Sequence, residues 1–390
     1  MLYLDDLDVS KKVVLVRADL NVPLENGVIK DATRVTRSLP TLRHIIDNGG
    51  VCTVMSHLGR PKEYSPEFSL APVASLLSEL LGKPVKIIKQ FGAEDSFSPD
   101  FVYLYENTRF YPGEDTNSPE LAKLMGESCD IYVMDAFASS HREHASTFGV
   151  IDYAPISCSG FLFKEEIAAI SELFHAPLRP VVAIIGGAKI SSKIGLIDSL
   201  IDIVDVLVVV GGMANTFLKA RGFEVGDSLC EDDQLEVARK IEVTAADKGV
   251  VTYLPQDFII ANKAQSITAD YKALTEIEFG DIIYDVGKQT ITALEAIISK
   301  ANTILWNGPL GMFENKLYAN GSLELAQIIT RSDAKTIVGG GDTIRVLEEA
   351  GLIDKVSYAS TGGGAFLDYL GNRKLPALEK LTRKDNVSSH

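Results

Sequence analysis

The chain alternates between short apolar runs and longer stretches whose apolar residues recur at helical spacing. Runs rich in Val, Ile and Leu occur at "KVVLVRADLNVP", "VCTVMSHLGRP", "VKII", "FVYLYENTRF" and "IYVMDAFA". After a break they resume at "VVAIIGG", "VLVVVGG", "VVTYLP", "TILWNGP", "KTIVGGG" and "VSYASTGGG". Between them lie segments such as "TRVTRSLPTLRHIIDNGG" and "DTIRVLEEAGL". Near-continuous apolar strands separated by amphipathic helices predict parallel sheets covered on both faces. The expected fold class is therefore α/β, with two doubly wound, Rossmann-like parallel-sheet domains. The break spans 155–180, where "YAPISCSGF" and "HAPLRP" flank the helical stretch "LFKEEIAAISELF". That stretch is the expected hinge helix, dividing an N-terminal domain, 1–172, from a C-terminal domain, 173–371.

In open α/β sheets ligands bind beyond the carboxyl ends of the strands, so the residues that follow each strand carry the functional signal. In the first half these are charged and polar: Arg17, Asp19 and Asn21, then His57 and Arg60, then Arg109, then Arg142. Together with Arg34 from "KDATRV", the arginines are expected to converge on one edge of the sheet, which costs free energy unless an anion sits there. Guanidinium forks match phosphate and carboxylate oxygens two at a time. The first domain is thus expected to hold a small, highly anionic molecule, with His57 as a donor and Asp19 and Asn21 addressing its hydroxyl or carboxyl groups.

In the second half the strands run into glycines, at Gly186–Gly187, Gly211–Gly212, Gly308, Gly339–Gly341 and Gly362–Gly364. Bare backbone at several strand ends suits the close approach of a nucleotide. In "GGGDTIRVLEEAG", Asp342 is either the N-cap of the helix it opens or a carboxylate anchor for Mg²⁺, and Gly340, Gly341 and Thr343 make an anion nest. In "TILWNGPLGMFE", Trp306 suits core packing, whereas Asn307, Pro309 and Glu314 suit a phosphate, an apolar wall and ribose hydroxyls. The stretch "VVAIIGGAKISSKIGLIDSL" starts like a phosphate-binding loop but has no P-loop pattern. Lys189 and Lys193 are instead expected on one face of the first helical turns, beside a stripe of Ile190, Ile194, Ile197 and Ile201. Two cations there oppose the positive end of the helix, so they are expected to serve an anion.

A formal net charge of −15 over 390 residues speaks against nucleic-acid or acidic-membrane partners. The four cysteines form no C-x-x-C and suit reduced thiols in a cytoplasmic protein. "MLYLDDLDVSKK" is acidic where a signal peptide needs a positive start, and no apolar run approaches the ~20 residues of a membrane helix. His141 and His144 in "HREH" lack a third nearby metal ligand. No G-x-S-x-G elbow occurs, and the absence of any G-x-G-x-x-G excludes a dinucleotide-dependent dehydrogenase of the usual pattern.

"RADLNVP", "SHLGRP", "ENTRF", "HREHAS", "GGAKISSK", "VVVGGMANTF", "WNGPLGMFE", "GGGDT" and "STGGGA" stand in one order and spacing along the chain. In that order they resemble the phosphoglycerate kinase family over essentially the whole length. The resemblance implies that Asp19, Asn21, Arg34, His57, Arg60, Arg109 and Arg142 hold 3-phosphoglycerate or 1,3-bisphosphoglycerate. It places ADP or ATP on Lys189, Lys193, Gly211, Gly212, Asn307, Glu314 and the Gly340–Thr343 turn, with Asp342 linked to Mg²⁺. It further implies a monomer whose residues 372–390 pack back on the N-terminal domain. The sequence departs from commoner spellings of the family at Ala138-Ser139-Ser140 and at Glu143. In the reaction implied, the oxygen that attacks phosphorus is a carboxylate or a phosphate oxygen, either one already ionised at neutral pH, so no general base is needed. Arg34 and Lys193, supported by Lys189, are then the expected groups that neutralise the phosphoryl group in transfer.

Overall fold

The computed structural model describes residues 1–92, 96–261, 269–372 and 374–388. The chain divides into two compact units, Met1–Ala168 with Lys374–His390, and Ala169–Arg373. The division falls inside the helix Phe161–His175.

The first unit is built on a six-stranded parallel sheet. From edge to edge its strands are Val85–Ile88, Val102–Tyr105, Val51–Met55, Val13–Arg17, Ile131–Met134 and Ile156–Ser159. The apolar runs become strands because both faces are covered, and every residue of Val51–Met55 and Ile131–Met134 is buried. Helices Thr33–Asp47 and Ala71–Leu81 supply Leu39, Leu42, Ile45, Val73 and Leu77 to that core. Val13–Arg17 lies between Val51–Met55 and Ile131–Met134, so the strand order reverses there. The crevice at such a reversal is where a doubly wound sheet takes its ligand.

The C-terminal helix Pro376–Ser388 belongs to this unit. Ala377 and Leu381 are buried, and the Ala377 N–H donates to the Ser140 carbonyl at 3.3 Å. The Lys384 ammonium donates to the Ile151 carbonyl at 2.5 Å and to the Ala154 carbonyl, where a cation satisfies the exposed end of the Val150–Tyr153 helix. The departures at Ser140 and Glu143 both fall against this helix. Ser140 is buried and offers its carbonyl to Ala377, and Glu143 lines a groove with Lys380 and Lys384. Of the 372–390 segment, 373, 389 and 390 lie outside the described residues.

The second unit repeats the plan. Its six parallel strands run Val251–Tyr253, Val206–Val209, Val181–Ile185, Thr303–Asn307, Lys335–Val338 and Tyr358–Ala359. Its strand order reverses at the paired Val181–Ile185 and Thr303–Asn307. Trp306 packs in the core as expected, its indole N–H donating to the Gly308 carbonyl at 2.9 Å. Both sheets are the parallel, Rossmann-like kind that the alternating pattern predicts.

Neither the edge strand Ile156–Ser159, which falls in the stretch read above as a break, nor a three-stranded antiparallel sheet of Asp270–Ala273, Asp257–Ala261 and Ile282–Val286 was foreseen. Among the described residues no α-helix separates the strands of that antiparallel sheet, and Asp270–Ala273 is polar with no buried residue, so neither signal used above registers it. The buried Asp257 ties this sheet to the helix Lys288–Ile298, accepting from the Gln289 and Thr290 N–H groups at 2.8 Å each and from the Thr290 hydroxyl at 2.6 Å. Loss of a helix cap and of a buried acceptor sets the expected cost: Asp257→Ala lowers unfolding stability by about 1–3 kcal/mol in urea titrations. An unchanged midpoint would show that the carboxylate carries no such role.

Candidate functional site

In the first unit the charged residues that follow the strands gather at the sheet's reversal point. Asn107, buried behind Val102–Tyr105, accepts from the Arg109 N–H at 3.1 Å and donates to the Leu58 carbonyl at 2.7 Å. It thereby fixes the loops that carry Arg109, His57 and Arg60. Arg109 pairs with the exposed Asp115 at 2.7 Å. Arg34 rises from the first turn of Thr33–Asp47 and is ion-paired with the buried Asp19. Asn21 accepts from the Gly59 N–H at 2.8 Å, and Arg60 lies exposed beyond it.

The mutual influence of these groups shows that they converge. His57 is held well below the usual imidazole range, first by burial and then by Arg17, Arg109, Arg142 and Arg34. Arg142 is lowered by burial and then by Arg109, Arg60 and Arg17. Residues 34, 57, 60, 109 and 142 thus form one electropositive patch, with Asp19 and Asn21 at its base. Arg17 corrects the expectation drawn from strand endings. It is 1% exposed and turned into the core, so it presents no charge to solvent. His144 sits 3.6 Å from Asp115 and 3.9 Å from Glu114, and burial pushes it down to about 4. Among the described residues no cluster of three or more metal-ligating side chains occurs.

The second unit contains a cavity of about 390 Å³ at its sheet's carboxyl edge. Gly187, Ala188, Gly211 and Gly212 form a backbone floor, and Leu229, Phe258, Tyr284, Val286, Pro309, Leu310 and Met312 form an apolar wall. Glu314 and Asp342 also line it, and both side chains are exposed. Gly211 has φ +69°, and a Cβ there would stand 2.8 Å from the Gly187 nitrogen, so only glycine permits this floor. Sequence reasoning found the floor, Pro309 and Glu314, but missed Phe258, Tyr284 and Val286. Those come from the antiparallel sheet, which gave no periodic signal.

The structure corrects the placement of the two lysines and shows how Asp342, Asn307 and Thr343 are held. Lys189 and Lys193 do not share a helix face: Lys189 is extended, Ile190–Ser192 is a 3-10 turn, and Lys193 immediately precedes the helix Ile194–Leu200. A turn tighter than the α-helix breaks the four-residue repeat. Ile190, Ile197 and Ile201 are buried as expected, but Ile194 only partly. Asp342 is not the N-cap of Gly341–Glu349; Gly340, at φ +96°, holds that place. Asp342 therefore keeps its carboxylate uncommitted within the first turn. Asn307, expected to face a phosphate, is buried and donates to the Gly339 carbonyl at 2.6 Å while its Oδ1 accepts from the Lys193 ammonium at 2.5 Å. Thr343 is buried too, its hydroxyl oxygen accepting from the Gly308 N–H at 2.7 Å.

Lys193 is the most constrained of these groups. Its ammonium also donates to the Gly186 carbonyl at 2.6 Å and the Asn307 carbonyl at 3.3 Å. Burial pushes it down to about 8, against the opposing pull of Asp342. Lys189 is exposed.

A patch of guanidinium groups in one unit, and a glycine-floored cavity beside a desolvated lysine in the other, suit a small-molecule phosphotransferase. The phosphoglycerate kinase family model matches residues 4–373. The chain is 44% identical over 384 residues to the phosphoglycerate kinase of Coxiella burnetii (strain RSA 493 / Nine Mile phase I), covering 98% of each. It is 44% identical over 387 residues to that of Legionella pneumophila (strain Paris), again covering 98% of each. The solved structure of the Coxiella burnetii enzyme superposes with a TM-score of 0.93 over 99% of both chains. The chain belongs to the phosphoglycerate kinase family. Its reaction is reversible phosphoryl transfer from 1,3-bisphosphoglycerate to ADP, giving ATP and 3-phosphoglycerate.

Lys193 can act on phosphate only while protonated, so its charge is present below its pKa and lost above it. In the nucleotide-free protein kcat/KM for ATP should fall along an alkaline limb centred near 8, and Lys193→Arg should remove that limb. A wild-type profile flat from neutral pH to well above that value would contradict the assignment.

Proposed function

We propose that the two half-sites divide the reaction as follows. Arg60, Arg109 and Arg142 hold the phosphate of 3-phosphoglycerate, His57 donates a hydrogen bond to its carboxylate or hydroxyl, and Asp19 and Asn21 fix the floor and keep Arg34 extended. In the second unit Gly211, Gly212 and Pro309 border the base, Glu314 addresses the ribose, and Gly340 and Gly341 offer their backbone to phosphates at a helix N-terminus, a turn that the buried Thr343 holds through the Gly308 N–H. Asn307 acts indirectly, by holding Lys193. Asp342 suits Mg²⁺, because its carboxylate is exposed, lines the cavity and takes no hydrogen bond among the described residues. A single carboxylate with bound phosphates and waters is the usual environment of that ion, which when bound neutralises nucleotide phosphate charge.

The observation that carries this reading is the patch itself. His57 and Arg142 are each lowered by burial and then by several neighbouring guanidinium groups, which is the arrangement a polyanion would relieve. The attacking oxygen is already ionised, so the protein's task is positioning and charge neutralisation. Lys193 and Arg34 neutralise the equatorial oxygens, with Lys189 in support. Transfer also requires water to be excluded, by bending in the region of the Phe161–His175 helix once both substrates are bound. The protein works as a cytoplasmic monomer. Among the described residues no helix is long and apolar enough to cross a membrane.

A coupled assay of ATP-dependent 3-phosphoglycerate use tests the roles directly. Arg34→Ala or Lys193→Ala should each lower kcat by about 1000-fold or more, with much smaller changes in KM, as for other groups that meet charge only in the transition state. Near-normal kcat in either variant would remove it from that role. Solution scattering should show a smaller radius of gyration with both substrates than with either alone; identical curves would reject closure.

A further inference from the structure

Arg17 stands apart from the other basic residues, because its guanidinium is fully buried and its hydrogen bonds all lead inward. Nη1 donates to its neighbour's carbonyl, on Ala18, at 2.6 Å, and Nε donates to the Ser146 hydroxyl at 2.9 Å. Nη2 lies 3.2 Å from Nδ1 of His57. Ser146 in turn donates its hydroxyl to Glu114 Oε1 at 2.6 Å and its N–H to Oε2 at 3.0 Å. Glu114 is 2% exposed. The Tyr132 hydroxyl donates to the Ser146 carbonyl at 2.9 Å and fixes the relay from the other side.

A guanidinium has only donors. The His57 nitrogen facing it must therefore be the one with the lone pair, which leaves the proton on Nε2. We infer that Arg17 is a positioning residue for substrate binding: it locks His57 in the neutral Nε2–H tautomer and fixes its ring, and Glu114 through Ser146 holds Arg17 in place. This rests on the reading that His57 donates to 3-phosphoglycerate. With Nδ1 occupied, Nε2–H is the single donor that His57 has left to offer. The tautomer is thus chosen by a residue that never meets the substrate, as partners behind a ligating histidine choose its tautomer elsewhere. Burial lowers Arg17 and raises Glu114, and each opposes the shift of the other, as expected of a compensated buried pair. The relay also explains why Arg17 follows its strand like the other arginines and yet turns away from the patch.

Selective ¹⁵N-histidine labelling of the ligand-free protein reads the tautomer directly, with the His57 signals assigned by their loss in His57→Ala. The wild type should show one Nε2–H species. Arg17→Lys, and Ser146→Ala as a milder change that keeps both buried charges and removes only the hydroxyl between them, should each show a mixture. Both variants should raise KM for 3-phosphoglycerate about tenfold, the scale of one charge-assisted hydrogen bond, with KM for ATP unchanged. In a His57→Ala background the Arg17→Lys effect should disappear. A pure Nε2–H signal in both variants, or an Arg17 effect that persists without His57, would overturn the inference alone. An unchanged KM for 3-phosphoglycerate in His57→Ala would overturn the placement of His57 and the inference with it.

Discussion

Guanidinium groups repel one another, and most of the first unit's architecture follows from holding several of them at the end of one sheet. At the effective dielectric of a partly buried site, two unit charges 4 Å apart interact by about 4 kcal/mol. The fold keeps this tolerable by giving individual cations a carboxylate: Asp19 for Arg34, Asp115 for Arg109, and Glu114, through Ser146, for the buried Arg17. It also keeps His57 neutral, so that a donor is added to the patch without another charge. What stays unrelieved is what, on the reading proposed above, an acidic phosphate ester would relieve on arrival. Binding energy and ground-state strain are therefore two aspects of one arrangement.

The second unit meets the same constraint with one cation and many dipoles. Lys193 is desolvated against the Gly186 and Asn307 carbonyls at the ends of adjoining strands, and its ammonium is correspondingly less basic. Backbone carbonyls stabilise a cation without neutralising it. The charge remains available to phosphate oxygens, which are stronger acceptors. The glycine floor at Gly211–Gly212 and the open turn at Gly340 bring the main chain close to a ligand where any side chain would collide. One unit presents charge on side chains and the other presents backbone, and the chemistry needs both.

Most strands of the two parallel sheets were legible because they are buried on both faces and so read as unbroken apolar runs; Ile156–Ser159, with two serines in four residues, was not. The antiparallel sheet at 257–286 was not, since Asp270–Ala273 has nothing to bury. The site was legible as residue types at strand ends but not as directions. Arg17 and Arg109 look alike in sequence, and only the buried Glu114–Ser146 relay distinguishes them. That relay joins residues far apart along the chain, and no local pattern announces it. Lys189 and Lys193 were found as a pair, but the 3-10 turn between them depends on Lys193 reaching back to two strands. Asp342 offered two equal roles from its position alone. The structure removes the capping role, because one glycine, Gly340, takes that place.

Among all these groups none is placed to move a proton in the reaction. Lys193 serves in its protonated form, His57 stays neutral, and the attacking oxygen is ionised before it meets the phosphorus. The central claim is that rate comes from charge held in place rather than from acid–base chemistry. The solvent deuterium isotope effect on single-turnover phosphoryl transfer, measured on the pH plateau, tests it most directly. The account requires a value close to unity. An effect of about two or more, with a linear dependence on deuterium fraction, would mean that a proton moves in the transition state and would contradict it.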